Sequence, residues 1–232
     1  MTRIWAAVIW LICPFPVAAC DLALMLAVDV SGSVDTQEYR TQMDGLALAL
    51  EDNTVREALV AQNAHLSLIQ WSGSSRQRQT LPWTAMQSDA DVVDFAVAIR
   101  QAARVWRNFS TAIGEALDLA RASFAEVPQC RRRVIDMSGD GVSNEGAAPG
   151  DLRAALLAGG ITVNALAIET DATDLTAYFF ENVIVGEGAF VVTARGFEDY
   201  PEQIKRKLQR ETTRQVSALP QARRVWSGSA DQ

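Results

Sequence analysis

The sequence predicts a doubly wound α/β fold: a mostly parallel central sheet with one antiparallel edge strand and helices on both faces. Three observations carry that prediction. The run Leu22–Val28, bounded by Asp21 and Asp29, is apolar throughout, as a strand buried on both faces must be. Further strand-like runs alternate with segments of helical periodicity along the chain, the pattern of repeated β-α units. Asp, Ser and Gly cluster just past the ends of the apolar runs, where ligands of such sheets bind.

The elements follow in order. After the first strand, Tyr39, Met43, Leu46, Ala47 and Leu50 mark one face of a helix that starts near Asp35. His65–Trp71 reads as the second strand, with His65 structural at its start. Arg76–Trp83 is polar and follows Gly73, so it reads as a short, hairpin-linked edge strand. Helices are expected over Asp89–Ala103 and Thr111–Ala125, the latter with Ile113, Ala116, Leu117, Ala120 and Phe124 in one stripe. Arg133–Ser138 is a strand, and a loop rich in Gly, Ser and Asn runs on through Gly146. A helix near Pro149–Ala158, a strand Ile161–Ile168, a short helix near Leu175–Glu181 and a strand Ala189–Thr193 come next. The last helix covers Phe197–Arg214. Its Lys205, Arg206, Lys207 and Arg210, interrupted by Glu202 and Glu211, read as a solvated face and not a membrane patch.

Composition narrows the chemistry. A chain of 232 residues, 49% hydrophobic and 21% charged, fits one large domain without an internal repeat or linker. Three Cys and one His exclude a disulfide-dense miniprotein, the usual transition-metal clusters and a His-based triad, unless His65 carries everything. With 21 basic against 28 acidic residues, nucleic acid is not an expected partner. Oxygen chemistry remains: carboxylates and hydroxyls.

Residues 1–19 read as a secretory signal, with Arg3 at the start, an apolar core over Ile4–Cys13, then Pro14, Pro16 and the small residues Val17-Ala18-Ala19. That core is too short to span a bilayer. Cleavage removes only Arg3 from the charge count, leaving 20 basic against 28 acidic residues, a net charge of −8. The expected organisation is a signal over 1–19, one domain over 20–214 and a polar mobile tail over 215–232, in a periplasmic or secreted protein. Cys20 has two readings. Val17-Ala18-Ala19-Cys20 fits a lipobox that would anchor the mature chain through Cys20, or a cleavage site that leaves Cys20 free to pair. Export places Cys20 and Cys130 in an oxidising compartment, where a disulfide is the favoured fate.

Three separated loops supply oxygen ligands. Asp29-Val30-Ser31-Gly32-Ser33 puts one carboxylate and two hydroxyls at alternate positions on a tight loop after the first strand. Thr111 follows Asn108-Phe109-Ser110 at a later helix start, and Asp140 stands between Gly139 and Gly141 after Arg133–Ser138. Two carboxylates and three hydroxyls, with no soft ligand, suit a hard divalent cation: Mg²⁺, with Mn²⁺ or Ca²⁺ as alternatives.

These residues resemble the metal-ion-dependent adhesion site, or MIDAS, of the von Willebrand factor A (vWA, integrin I-like) domain family. The resemblance covers Asp21 to about Arg214 and is nearest to a group of uncharacterised exported bacterial A-like domains. It implies that Ser31, Ser33 and Thr111 supply hydroxyls, while Asp29 and Asp140 bind directly or through water. It also implies a coordination position left open for an Asp or Glu of a partner protein. Asp136 is the rival for the second carboxylate. Equal strand lengths, Leu22 to Asp29 and Arg133 to Asp140, favour Asp140, and Asp136 is then a buried, hydrogen-bonded structural carboxylate. Two positions depart from the family pattern: Gly139 stands where Thr is usual, and Asn108-Phe109-Ser110 replaces a Gly-rich lead-in. The fold so implied makes the first and fourth strands parallel neighbours, which brings Cys20 and Cys130 within disulfide reach. Trp71, Trp83 and Trp106 read as core or rim packing. Ser72, Trp106, Phe109 and Asn144 are the candidates for a partner-facing rim, an exposed aromatic there being an anchor.

The function so implied is a non-enzymatic binding module. A metal-dependent hydrolase of a phosphate or ester is the rival reading, since a Lewis acid with an open position activates water. The sequence lacks G-x-S-x-G, a P-loop and H-E-x-x-H, and no general base with helpful spacing is evident.

Overall fold

The computed structural model describes residues 20–170 and 174–213; the expected signal and tail lie outside the described residues. Its strands are β1 (Leu22–Asp29), β2 (His65–Trp71), β3 (Gln77–Ala85), β4 (Arg132–Gly139), β5 (Ile161–Ile168) and β6 (Val191–Ala194). They form one sheet in the order β3-β2-β1-β4-β5-β6. Only the β2–β3 pair is antiparallel. The fold is therefore the expected doubly wound one.

Helices α1 (Thr36–Glu51), α2 (Asn53–Ala61), α3 (Asp89–Gln101), α4 (Ile113–Ser123), α5 (Arg153–Ala158), α6 (Leu175–Asn182) and α7 (Tyr200–Thr213) connect the strands. Asp35 opens α1 with a capping box: its side chain accepts from the Gln37 and Glu38 amides, and Glu38 reaches back to the Asp35 N–H. Asp52 ends α1 and caps α2 through Thr54 and Val55. Helix α2 has no counterpart in the sequence reading, because Asp52-Asn53 resembles a loop after one long helix. Helix α4 starts at Ile113, two residues later than expected, so Thr111 stays in the loop before it.

β1 shows why the core has two halves. Leu22, Leu24, Leu26 and Val28 point into the layer shared with α1, α3 and α7, while Ala23, Met25 and Ala27 face α4, α5 and α6. All seven are at most 2% exposed. Each large one contributes roughly 1.5–3 kcal/mol by leaving water. Parallel pairing of Leu22 with Arg132 through Val28 with Ser138 puts Asp29 level with Gly139, and Asp140 one residue beyond. Asp136 pairs with Leu26 in mid-strand, far from that end.

Asp136 is buried as expected, but its partner corrects the reading of the last helix. Lys207 is fully buried, with Nζ 2.5 Å from Asp136 Oδ1 and 2.8 Å from Glu211 Oε1. It belongs to the core and not to a solvated face, since α7 lays it against β4. Lys205 and Arg206 do remain on the outer side, paired with Glu202. At the opposite end of β1 and β4, the sulfurs of Cys20 and Cys130 lie 1.98 Å apart with Cα atoms 4.5 Å apart. His65 opens β2, and its Nδ1 is 3.3 Å from the Asn63 carbonyl. Among the described residues, no helix is long and apolar enough to cross a membrane.

Candidate metal centre

The strand order reverses between β1 and β4, so the crevice beyond their carboxyl ends is the natural ligand position. Asp29, the last residue of β1, is fully buried there. Its Oδ1 accepts the Ser31 N–H at 2.7 Å, which curls the chain into a tight loop. Arg104 holds that loop from behind, its Nη2 donating to the carbonyls of Val30 (2.9 Å) and Ser31 (2.7 Å). Ser31 Oγ and Ser33 Oγ are 3.1 Å apart, and Ser33 Oγ donates to Asp140 Oδ1 at 2.7 Å. One chain of contacts thus joins the first and third loops.

The second loop is tied to both. The Gly32 N–H donates to the Phe109 carbonyl at 2.8 Å, and the Ala112 N–H to the Ser72 carbonyl at 2.9 Å. Asn144 Oδ1 accepts the Thr111 N–H at 2.9 Å, while the Asn144 N–H donates to the Thr111 carbonyl at 2.9 Å. Thr111 is held on both sides and lines, with Ser33, Asp140 and Asn144, a cleft of about 260 Å³.

Electrostatics mark this place as unusual. Burial, with the Asp140 charge adding to it, pushes the Asp29 carboxyl up to about 8. Asp140 is raised as well, first by its own burial, with the Ser33 hydrogen bond pulling the other way. Asp29 Oδ2 is buried without a hydrogen-bond partner. An unpartnered carboxylate oxygen, a second carboxylate and three hydroxyls fit a hard cation, which would relieve both the burial cost and the mutual repulsion.

The structure brings Asp29, Ser31, Ser33, Thr111 and Asp140 together and leaves Asp136 out. Of the rim candidates, Asn144 and Phe109 are exposed, Trp106 is half-buried, and Ser72 is wholly buried. Ser72 therefore supports the site from beneath: its Oγ donates to the Ser110 carbonyl at 3.1 Å. Sequence reasoning missed Arg104 and Gln42, whose Nε2 donates to the Asp29 carbonyl at 3.2 Å; no motif marks either. The glycine at 139 also gains a reason. A Cβ there would lie 3.1 Å from Asp29 Oδ2 and 3.3 Å from the Trp71 ring, so the buried Trp71 takes the space a larger residue would need.

Comparison with known proteins agrees with this architecture. A family model described as "Protein of unknown function (DUF1194)" matches residues 19–216. The chain belongs to that family. Solved vWA domains share the fold of this DUF1194 member. Proximal thread matrix protein 1 from the mussel byssus superposes with a TM-score of 0.64 at 20% identity, over 82% of this chain and 47% of that one. A further structure of that protein, "with zinc occupied MIDAS motif", gives a TM-score of 0.59 at 20% identity, over 82% and 48% of the two chains. The pilus adhesin SpaC from Lactobacillus rhamnosus GG gives 0.62 at 13% identity, over 85% and 30%. A von Willebrand factor type A protein from Catenulispora acidiphila gives 0.55 at 20%, over 84% and 43%. The chain thus spans about half the length of the first of these, or less. No curated protein matches the chain in sequence.

Proposed function

We propose that this protein is an exported, non-enzymatic binding module. It holds a divalent cation, Mg²⁺ in the first instance, with Asp29, Ser31, Ser33, Thr111 and Asp140, and presents that cation to an Asp or Glu of a partner protein. The observation that carries the reading is Asp29 Oδ2, a buried carboxylate oxygen without a hydrogen-bond partner, on a loop whose Ser31 and Ser33 hydroxyls lead on to the second carboxylate, Asp140. Two carboxylates offset the charge of one divalent cation, and an oxygen from the partner's carboxylate would be the sixth ligand beside the two carboxylates and three hydroxyls. The occurrence of the fold in an adhesin and in a matrix protein, one with a zinc-filled site, supports the same reading.

We assign Cys20 and Cys130 to a disulfide that staples β1 to β4 at the end away from the site. A sulfur in that bond cannot carry a lipid, so the disulfide is incompatible with lipidation at Cys20. The direct test is a pull-down from periplasmic extract with and without EDTA, using Asp29→Ala as control. A partner retained only by the wild type and only without EDTA supports the reading. The same partners in all three samples refute it.

A further inference from the structure

Beside the proposed cation site stands a shelf of arginines placed over aromatic rings. The guanidinium carbon of Arg76, just before β3, lies 4.6 Å from the centre of the Phe109 ring and 5.5 Å from that of Trp106. Arg78, on β3, sits 5.3 Å from the centre of Trp106. Phe109 is 42% exposed, and Arg78 is exposed beside it. The shelf is not remote from the metal ligands. The Phe109 carbonyl accepts the Gly32 N–H of the Asp29–Ser33 loop, and Thr111 follows two residues later.

A guanidinium held over an aromatic ring by cation–π attraction keeps N–H donors for a carboxylate. Arg76 uses one of them weakly, Nη1 to the Ser75 carbonyl at 3.3 Å. Among the described residues, neither Arg76 nor Arg78 has a carboxylate within 4.0 Å. Glu145 reaches the loop before Arg76, where it accepts the Ser74 N–H at 3.0 Å, and it pairs with neither arginine. Both loops that build the shelf also carry a non-glycine residue in the left-handed region, Ser75 at φ 60° and Asn108 at φ 58°. Such positions cost on the order of 1–3 kcal/mol and persist where the surroundings hold them. The chain as a whole is acidic, at −7, so a local cationic shelf against that background selects an acidic approach.

The geometry points to a second recognition element: Arg76 and Arg78 receive further carboxylates of the same partner segment whose first carboxylate the cation takes. This rests on the cation-bridging reading above and narrows the partner to a segment with several acidic residues in sequence. A lone Asp or Glu on a neutral surface would leave the shelf unpaired.

Fluorescently labelled hexaglutamate serves as the probe, with hexaglutamine and hexathymidylate as controls, followed by anisotropy in millimolar Mg²⁺ and in EDTA. The double variant Arg76→Gln/Arg78→Gln is expected to bind hexaglutamate about tenfold more weakly, the loss of about 1.4 kcal/mol. Its Mg²⁺ affinity by calorimetry and its urea midpoint should match those of the wild type. Equal hexaglutamate binding by variant and wild type overturns the shelf. So does hexaglutamate binding no better than hexaglutamine, or no better than hexathymidylate, since the latter is a mere polyanion effect. If EDTA changes nothing while the double variant still binds less, the cation-bridging reading has failed and the shelf acts without it.

Discussion

Lys207 Nζ and Asp136 Oδ1 lie 2.5 Å apart, with the lysine fully buried and the aspartate 3% exposed. The pair joins α7 to the middle of β4. Glu211 Oε1 accepts from the same Nζ at 2.8 Å and from Asn164 Nδ2 at 2.9 Å. Two carboxylates and one ammonium therefore share a buried site, and the helix is held by hydrogen-bonded charge as well as by Tyr200, Ile204 and Leu208 in the core.

Removing the ammonium leaves two buried carboxylates without a counter-charge. Lys207→Met should lower stability by about 3–5 kcal/mol. Urea unfolding followed by circular dichroism checks this. A loss below about 1 kcal/mol would mean that α7 does not depend on the ion pair.

The same group gives stability a pH dependence of known sign. Burial, with the Glu211 charge adding to it and Lys207 opposing, pushes Asp136 up to about 7 from its ordinary 3.8. Between those values the native state keeps a proton that the unfolded chain has released, so this group's contribution to stability falls as pH rises through that window. In EDTA, the urea midpoint of Asp136→Asn should drop less between pH 5 and pH 8 than that of the wild type. Equal slopes contradict the assignment.

The proposed Cys20–Cys130 bridge closes a loop of 110 residues. Reduction should cost about 2–5 kcal/mol, as loss of a native disulfide typically does. A thiol count on the unreduced chain without residues 1–19 should find no free cysteine. Two free thiols would remove the bridge and exclude a lipid on Cys20 alike, whereas a single free thiol, that of Cys130, would point to lipidation at Cys20.

Gly114 is a close-approach glycine at the start of α4: a Cβ there would lie 2.3 Å from the Ala147 carbonyl oxygen. Gly114→Ala should force α4 away from the loop that carries Asn144 and so loosen Thr111. The expected cost is about 1–3 kcal/mol, with weaker Mg²⁺ binding. Unchanged values for both would show that the loop adapts without affecting the site.

Much of this was legible in the residues, for identifiable reasons. β5 runs over Ile161–Ile168 as expected because Gly159 and Gly160 end the preceding helix and the strand is buried on both faces, serving both halves of the core. The site loops were legible because D-x-S-x-S, common by itself, coincides here with the Thr111 loop and with Asp140, at strand ends. Asp140 was preferred to Asp136 by counting strand length, and the observed register leaves it one residue past the level of Asp29. Lys207 could not be placed that way. In a run with Lys205 and Arg206 it resembles a solvated lysine, and only the packing of α7 on β4 shows the carboxylate opposite it. Arg104 and Gln42 are illegible for a related reason: each acts through backbone carbonyls of another segment, and such bonds leave no spacing in the sequence.

The central claim is that five side chains form one cation site, and isothermal calorimetry with Mg²⁺ on the intact, EDTA-treated and dialysed protein tests it most directly. The account predicts one bound Mg²⁺ per chain, lost in Asp29→Ala while that variant keeps the wild-type circular dichroism spectrum. No Mg²⁺ or Mn²⁺ binding by the folded wild-type protein, or undiminished binding by Asp29→Ala, would contradict it.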